Sequence, residues 1–335
     1  MRFRRCFSRR PLLIFSLLLV FYQEVLAFWL QPLWWPSLSR RADLRLLLIA
    51  DPQLQGRAGE VGGLLGSITR ADADAYLSRS LRVALAYSRP DVIIFLGDLL
   101  DEGLSAPWPE YEEAVARFHA IYQSPIPKLY VAGDNDVGGE SEAVSPERSA
   151  WFHAAFPDTP SQTLPPLLRR MRIFKANVFD QSYAELYPWE EWANKTADPL
   201  RLLLSHHPLI SSFGIFRFSA QEILEAVKPS LVLSAHEHEA WVREGRRSEE
   251  EGRLTPLGPS NPAFTATLSQ SSKREGPLEL QIPTTSYRMG VTDAAIGLLS
   301  FRFQRQTKVE LLLFYQVARL RQLIFYALKT KFGRD

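Results

Sequence analysis

From Leu44 onward, short β-rich apolar runs alternate with longer stretches whose apolar positions recur at helical spacing. The runs are Leu44 to Ala50, Val92 to Leu96, Lys128 to Ala132, Leu202 to Ser205 and Leu231 to Ala235. Between them, Tyr76 to Tyr87 places Leu77, Leu81, Ala84 and Leu85 on one face of a helix, and Glu110 to Tyr122 and Ala220 to Val227 have similar spacing. Pro90 and Pro229 close two of these helices. The alternation predicts an α/β domain over residues 44–300.

Three stretches break the pattern. Pro11 to Leu30 is almost wholly apolar, interrupted by Gln23 and Glu24 and followed by Trp34 and Trp35. It is long enough for a bilayer-spanning helix, which needs about 20 residues. Arg2, Arg4, Arg5, Arg9 and Arg10 precede it and outweigh the basic residues that follow, so residues 1–10 are expected in the cytosol and the main domain across the membrane. A cleaved signal peptide, cut after Val25-Leu26-Ala27, is the competing reading. Arg243 to Glu279 is rich in Ser, Gly, Pro, Arg and Glu, and predicts a long mobile surface loop. Leu311 to Ala327 is apolar but carries Gln316, Arg319, Arg321 and Gln322, so residues 311–335 are expected as a marginal membrane helix or an amphipathic one.

Charge and cysteine content narrow the picture a little. The formal net charge of the 335 residues is +2, too balanced to imply a nucleic-acid partner. Cys6 is the single cysteine, so no intrachain disulfide can form. Asn194-Lys195-Thr196 is an N-glycosylation sequon, consistent with a lumenal main domain.

The chemistry sits where the apolar runs end. The five ends read Ala50-Asp51-Pro52-Gln53, Gly97-Asp98-Leu99-Leu100-Asp101, Gly133-Asp134-Asn135-Asp136, Ser205-His206-His207-Pro208 and Ala235-His236-Glu237-His238. Ligand sites of α/β sheets lie beyond the carboxyl ends of strands. If the runs are neighbouring strands, their tips gather carboxylate, amide and imidazole groups in one crevice, a set suited to manganese, iron or zinc. His236 and His238 are two residues apart, so an extended backbone would point both the same way.

In order and spacing these ends resemble the calcineurin-like metallophosphoesterase signature, D-x-H, G-D-x-x-D, G-N-H-D, H and G-H-x-H, over Leu44 to Glu239. The N-terminal helix with Glu24, Trp35-Pro36, Asp51-Pro52-Gln53 and Pro283-Thr284-Thr285-Ser286-Tyr287-Arg288 look like the narrower metallophosphoesterase 1 group. The resemblance implies a sandwich of two β-sheets flanked by helices and holding two divalent ions, expected to be manganese. Asp51, Gln53, Asp98 and His238 would surround one ion, and Asp98 would bridge to a second held by Asp134, His206 and His236. It further implies removal of ethanolamine phosphate from GPI-anchor glycans on the lumenal side of the ER or Golgi membrane, in the maturation and ER-to-Golgi transport of GPI-anchored proteins.

Four positions depart from the pattern. Gln53 and Asn135 stand in place of His, Asp134 in place of Asn and Ala235 in place of Gly. The Asn135 position is the one expected to help the leaving group. An amide can donate a hydrogen bond there but cannot act as a general acid near neutrality, so His207 or a water is the expected substitute. The same departure supports the alternative of a non-catalytic scaffold or cargo adaptor that kept the fold. A secreted nucleotide or nucleic-acid phosphoesterase is a third reading, set back by the lack of a basic aromatic groove in the sequence.

Overall fold

A computed structural model describes residues 9–58, 63–168, 171–187, 199–210, 214, 216–245, 253–268, 276–304 and 306–316. The chain opens with α1 (Arg9–Phe21), a π turn (Tyr22–Leu26), α2 (Ala27–Leu30) and a 3-10 turn (Gln31–Leu33). Then follow β1 (Leu44–Ile49), α3 (Gly63–Ser88), β2 (Val92–Leu96), α4 (Trp108–Ile121), β3 (Lys128–Val131), α5 (Asp134–Val137) and α6 (Pro146–Ala155). The second half runs β4 (Met171–Asn177), β5 (Ser182–Glu185), β6 (Leu200–Ser205), α7 (Phe216–Val227), β7 (Leu231–Ser234) and β8 (Trp241–Glu244). It ends with β9 (Leu254–Pro256), β10 (Ala263–Leu268), β11 (Leu278–Gln281), β12 (Ala295–Arg302) and β13 (Thr307–Tyr315).

The strands form two sheets, β10-β13-β12-β1-β2-β3 and β5-β4-β6-β7-β11-β8-β9. Within them β1, β2 and β3 run parallel, as do β4, β6, β7 and β11. The sheets pack face to face. Leu46, Leu48, Ile94 and Leu96 of the first share one core with Leu202, Leu204, Leu231 and Leu233 of the second. The alternate residues face outward: Leu47, Ile49, Ile93 and Phe95 pack with Tyr76, Leu81 and Phe118 of α3 and α4. Leu203 and Val232 pack with Ala220 and Ile223 of α7. Burial on both faces is why these strands read as unbroken apolar runs.

α3 and α7 stop by the same device. Arg89 (φ +46°) and Lys228 (φ +49°) take left-handed backbone just past the last helical residue, and a proline follows each. Their N–H groups close on the carbonyls of Leu85 and Leu224 at 3.0 and 2.9 Å. α3 starts well before Tyr76, because its first turns are only partly buried and carry a weaker apolar signal.

Two expectations are corrected. The stretch read as a mobile loop, 243–279, contains β9, β10 and the start of β11, with residues 246–252 and 269–275 outside the described residues. The C-terminal segment expected to be helical from Leu311 begins as β13, with Leu311, Leu313 and Phe314 buried. Val309, Leu311 and Leu313 of β13 face the core between the sheets and Leu312 and Phe314 pack on the helix side, so both its faces are covered and its run of apolar residues imitates a helix. Residues 317–335 lie outside the described residues, as does the sequon at Asn194. At the other end, the helix over Leu13–Leu33 has 21 residues and is apolar enough to cross a membrane.

Candidate metal centre

Asp51 and Gln53 follow β1, Asp98 follows β2, Asp134 opens α5 after β3, His206 follows β6, and His236 and His238 follow β7. All five strands present their carboxyl ends to one rim of the sandwich. Cross-links hold the tips in register. Asp51 N–H donates to the Gly97 carbonyl (3.2 Å), Gln53 N–H to that of Asp98 (3.0 Å) and Ala235 N–H to that of His206 (2.8 Å). Thr284 Oγ1 donates to the Asp51 carbonyl at 2.7 Å, tying in the segment after β11.

The backbone at the site is strained. Among the described residues, eight non-glycine residues have positive φ, and five of them are Asp51, Gln53, Asp98, His236 and His238. Such conformations cost about 1–3 kcal/mol each and persist where the surroundings impose them, commonly at functional sites. This corrects the expectation that His236 and His238 share an extended segment: both lie in left-handed backbone past the end of β7, and they serve different neighbours. Two glycines make the close approach possible. A Cβ on Gly97 would lie 2.4 Å from Nδ1 of His206, and one on Gly133 would lie 2.1 Å from Oδ1 of Asp98.

Two overlapping groups result. Ligand atoms of Asp134, His206 and His236 lie within 4.8 Å of one another, and so do those of Asp51, Asp98 and His206. Oδ1 of Asp134 is 3.1 Å from both Nε2 of His206 and Nδ1 of His236. Asp98 Oδ1 is 3.4 Å from the same His206 nitrogen. On the other flank, the Gln53 amide nitrogen lies 3.0 Å from Asp98 Oδ2 and 3.2 Å from His238 Nε2. Rotating the amide by 180° puts its oxygen there instead. Asn135 donates to both oxygens of Asp98, from its backbone N–H at 3.0 Å and from Nδ2 at 2.8 Å. His207 lies beside the group. Its ring lies against that of His236 with centroids 3.7 Å apart and planes tilted by 33°, and Nε2 is buried without a hydrogen-bond partner among the described residues.

These residues fit a pair of cations. Among the described residues, neither carboxylate oxygen of Asp51, nor Oδ1 of Asp134, meets a donor in hydrogen-bond geometry, although both residues are buried. An unpaired buried carboxylate is costly unless a positive charge faces it. Nδ1 of His206 lies 2.8 Å from the Leu96 carbonyl, to which it donates, so Nε2 offers its lone pair to the centre. The electrostatics agree. Burial, with Asp98 adding to it against His206, pushes Asp51 up to about 8. Burial also opposes ionisation of Asp134, but the rings of His206 and His236 hold it below the usual carboxylate range. Burial works against charge on His206 too, yet Asp98, Asp134 and Asp51 raise it well above the ordinary imidazole value.

Residues 44–240, more than half of the chain, match the calcineurin-like phosphoesterase family. The chain belongs to that family. Among its relatives, the metallophosphoesterase 1 homolog of Drosophila melanogaster is 34% identical over 115 residues, and that of Caenorhabditis elegans 29% over 153. The matched parts cover 32% and 44% of this chain, and only 30% and 40% of those proteins. The crystal structure of a metallophosphoesterase from Sphaerobacter thermophilus aligns over 86% of this chain and 97% of that one, with a TM-score of 0.38 and 17% identity.

Three further groups support the centre; Asp136 closes one of the five strand-end motifs and supports its turn, whereas Glu140 and Met289 stand outside every motif. Asp136 accepts N–H bonds from Leu99, Leu100 and Gly133 (3.0–3.1 Å), and so locks the β2 tip to the β3 tip. Glu140 brings Oε1 to 3.8 Å from Nε2 of His236, behind the ring. The backbone of Met289 supports the ring of His238. Glu140 and Met289 follow no apolar run, so nothing local in the sequence marks them.

Proposed function

We propose that this chain is a binuclear metal-dependent phosphodiesterase. Asp51, Gln53, Asp98 and His238 hold one divalent ion, and Asp98, Asp134, His206 and His236 the other. The observation that carries this is the set of buried carboxylate oxygens on Asp51 and Asp134 that have no donor among the described residues. Two divalent cations in such a centre polarise a phosphodiester and offset the charge that builds up during in-line displacement. Three carboxylates against two divalent charges leave the loaded site net positive, which favours an anionic substrate. Asn135 keeps Asp98 in place with two hydrogen bonds and can turn its amide to a leaving oxygen. His207, whose buried Nε2 has no hydrogen-bond partner among the described residues, is the second candidate to serve that oxygen.

Manganese is the metal we expect, and ethanolamine phosphate on a GPI-anchor glycan is the substrate. The reading is supported by the likeness to proteins named metallophosphoesterase 1 and by the N-terminal apolar helix. That helix anchors the protein in the ER or Golgi membrane with the main domain lumenal. The test is metal analysis of the full chain, paired with turnover of bis(4-nitrophenyl) phosphate and of a GPI glycan carrying ethanolamine phosphate. Two ions per chain with diester turnover support the enzyme. Bound metal without turnover of any diester favours the scaffold reading, which the Asn135 departure motivates.

A further inference from the structure

We propose that the bilayer reaches up the N-terminal helix as far as Leu33 and Trp34, so that the main domain sits against the lipid interface and is not held off on a stalk. The proposal rests on the membrane-anchor reading above and fixes where the membrane surface lies on the protein.

The helix has two different halves. Through Phe21 its described side chains are exposed. From Gln23 onward it docks on α3, and the docked side holds all the polar residues of this stretch together with Ala27 and Phe28. Glu24 forms an ion pair with Arg79, Gln31 is 1% exposed, and Gln23 is half-buried. Ala27 and Phe28 dock with them. Phe28 packs edge-on against Tyr76 with ring centroids 5.9 Å apart, beneath the Arg79 guanidinium at 5.8 Å. The π turn at Tyr22–Leu26 lies at the level where Glu24 meets Arg79.

The opposite side is apolar throughout. Tyr22, Val25, Leu26, Trp29, Leu33 and Trp34 are exposed, the last three at 67%, 74% and 72%. A helix lying on a water-soluble domain turns its polar residues outward, whereas here Gln23, Glu24 and Gln31 all face the domain. Here the medium beyond the outer face must itself be apolar, and that face continues past the docked level.

Length decides the matter independently. At 1.5 Å per residue, the stretch from Leu13 to Glu24 rises only about 18 Å, well short of a hydrocarbon core of about 30 Å. Leu13–Leu33 has 21 residues and spans about that thickness. A bilayer crossed by this helix therefore extends alongside its docked part. Glu24, expensive in lipid by itself, is matched there by Arg79 from the domain. Trp29 and Trp34 occupy the depth where indole rings settle at a membrane interface.

The test uses the full chain with Cys6→Ser and single reporters, Leu17→Cys, Leu33→Cys or Ser182→Cys, each labelled with an NBD fluorophore. The protein is reconstituted in phosphatidylcholine vesicles with or without brominated acyl chains. All three positions are exposed, so the labels do not disturb packing. We expect bromolipid to quench the labels at residues 17 and 33 at least twofold and to leave that at 182 unchanged. Quenching at 17 with none at 33 overturns the proposal while the anchor stands. No quenching at 17 overturns the anchor reading itself, and this proposal with it.

Discussion

Asn135 stands where the family pattern has an imidazole, and one N–H of its amide donates to Asp98, the carboxylate shared by both halves of the centre. An imidazole there could supply a proton to a departing alkoxide, an effect of about 10²–10⁴-fold where it acts. A nitrophenolate leaves without such help. We therefore expect Asn135→His to keep its metals and to raise, or at least preserve, turnover of alkyl phosphodiesters, with little change for nitrophenyl esters. Loss of alkyl-ester turnover with metals retained would show that the amide positions Asp98 in a way imidazole cannot. Glu140 makes a second test at this scale. Its carboxylate, 3.8 Å from Nε2 of His236, acts on the ring through charge, so its loss should cost less than the about 10–100-fold carried by a hydrogen-bonded partner of a ligating histidine. Glu140→Ala should loosen one of two ions in a chelator competition titration, and Glu140→Asp should restore part of the affinity. Affinities at both sites unchanged from those of the native chain would remove Glu140 from the centre. The ligand candidates were legible because each ends an apolar run. Glu140 was not, because its role comes from a loop folding back over His236.

At the scale of elements, the five strands that carry the site were legible almost to the residue, and so were the prolines that end α3 and α7. Burial on both faces made them loud. The same burial misled at β13, where Thr307–Tyr315 is a covered strand whose apolar run has no alternation to separate it from a helix. β8, β9 and β11 were missed for the opposite reason. They are short, and the connections around them are rich in Gly, Pro, Ser and charge. The two readings of residues 311–315 differ in a measurable way. Leu313 is fully buried between the sheets, so Leu313→Ala should destabilise the domain by about 2–5 kcal/mol. In thermal or urea unfolding of the detergent-solubilised protein, a change within error would mean the segment lies outside the core. Glu279 in β11 gives a pH signature. It accepts N–H bonds from Leu209 and Ile210 at 2.8 and 2.9 Å, and burial raises its pKa in the fold. A carboxyl with a raised folded pKa costs nothing below its unfolded pKa. It lowers stability as pH climbs from that value through the folded one. The stability of Glu279→Gln relative to the native chain should therefore improve across that window, by equilibrium unfolding at several pH values. A flat difference would mean Glu279 is not strained by its burial.

For the whole molecule, the question is whether the N-terminal helix is a tether, a discarded signal or a part of the fold. Hydropathy alone could not decide, because a signal and an anchor share the same apolar run. The packing does more. Phe28 lies against Tyr76, and Tyr76 meets Tyr287 edge-on with centroids 5.0 Å apart. Tyr287 donates to Asp72 and belongs to the segment whose Thr284 holds the Asp51 carbonyl. Trp35 stacks on Phe314 of β13 at 4.6 Å, and its Nε1 donates to the Tyr315 carbonyl at 3.0 Å. Residues 24–35 are thus one wall of the core cluster that supports the metal-side loops. Cleavage after Ala27 would remove Glu24 and strip Arg79 of that partner, so we expect the mature chain to retain residues upstream of Glu24, as intact mass or N-terminal sequencing would show. The wall should also matter energetically. Removing a buried aromatic costs about 3–5 kcal/mol, so Trp35→Ala should lower the melting temperature of the full chain by on the order of 10 °C. Leu17→Ala, on the free half of the helix, should leave it unchanged. If the two variants melt alike, the helix end is only a tether resting on the domain, and a cleaved or flexible N-terminus becomes compatible with an intact centre.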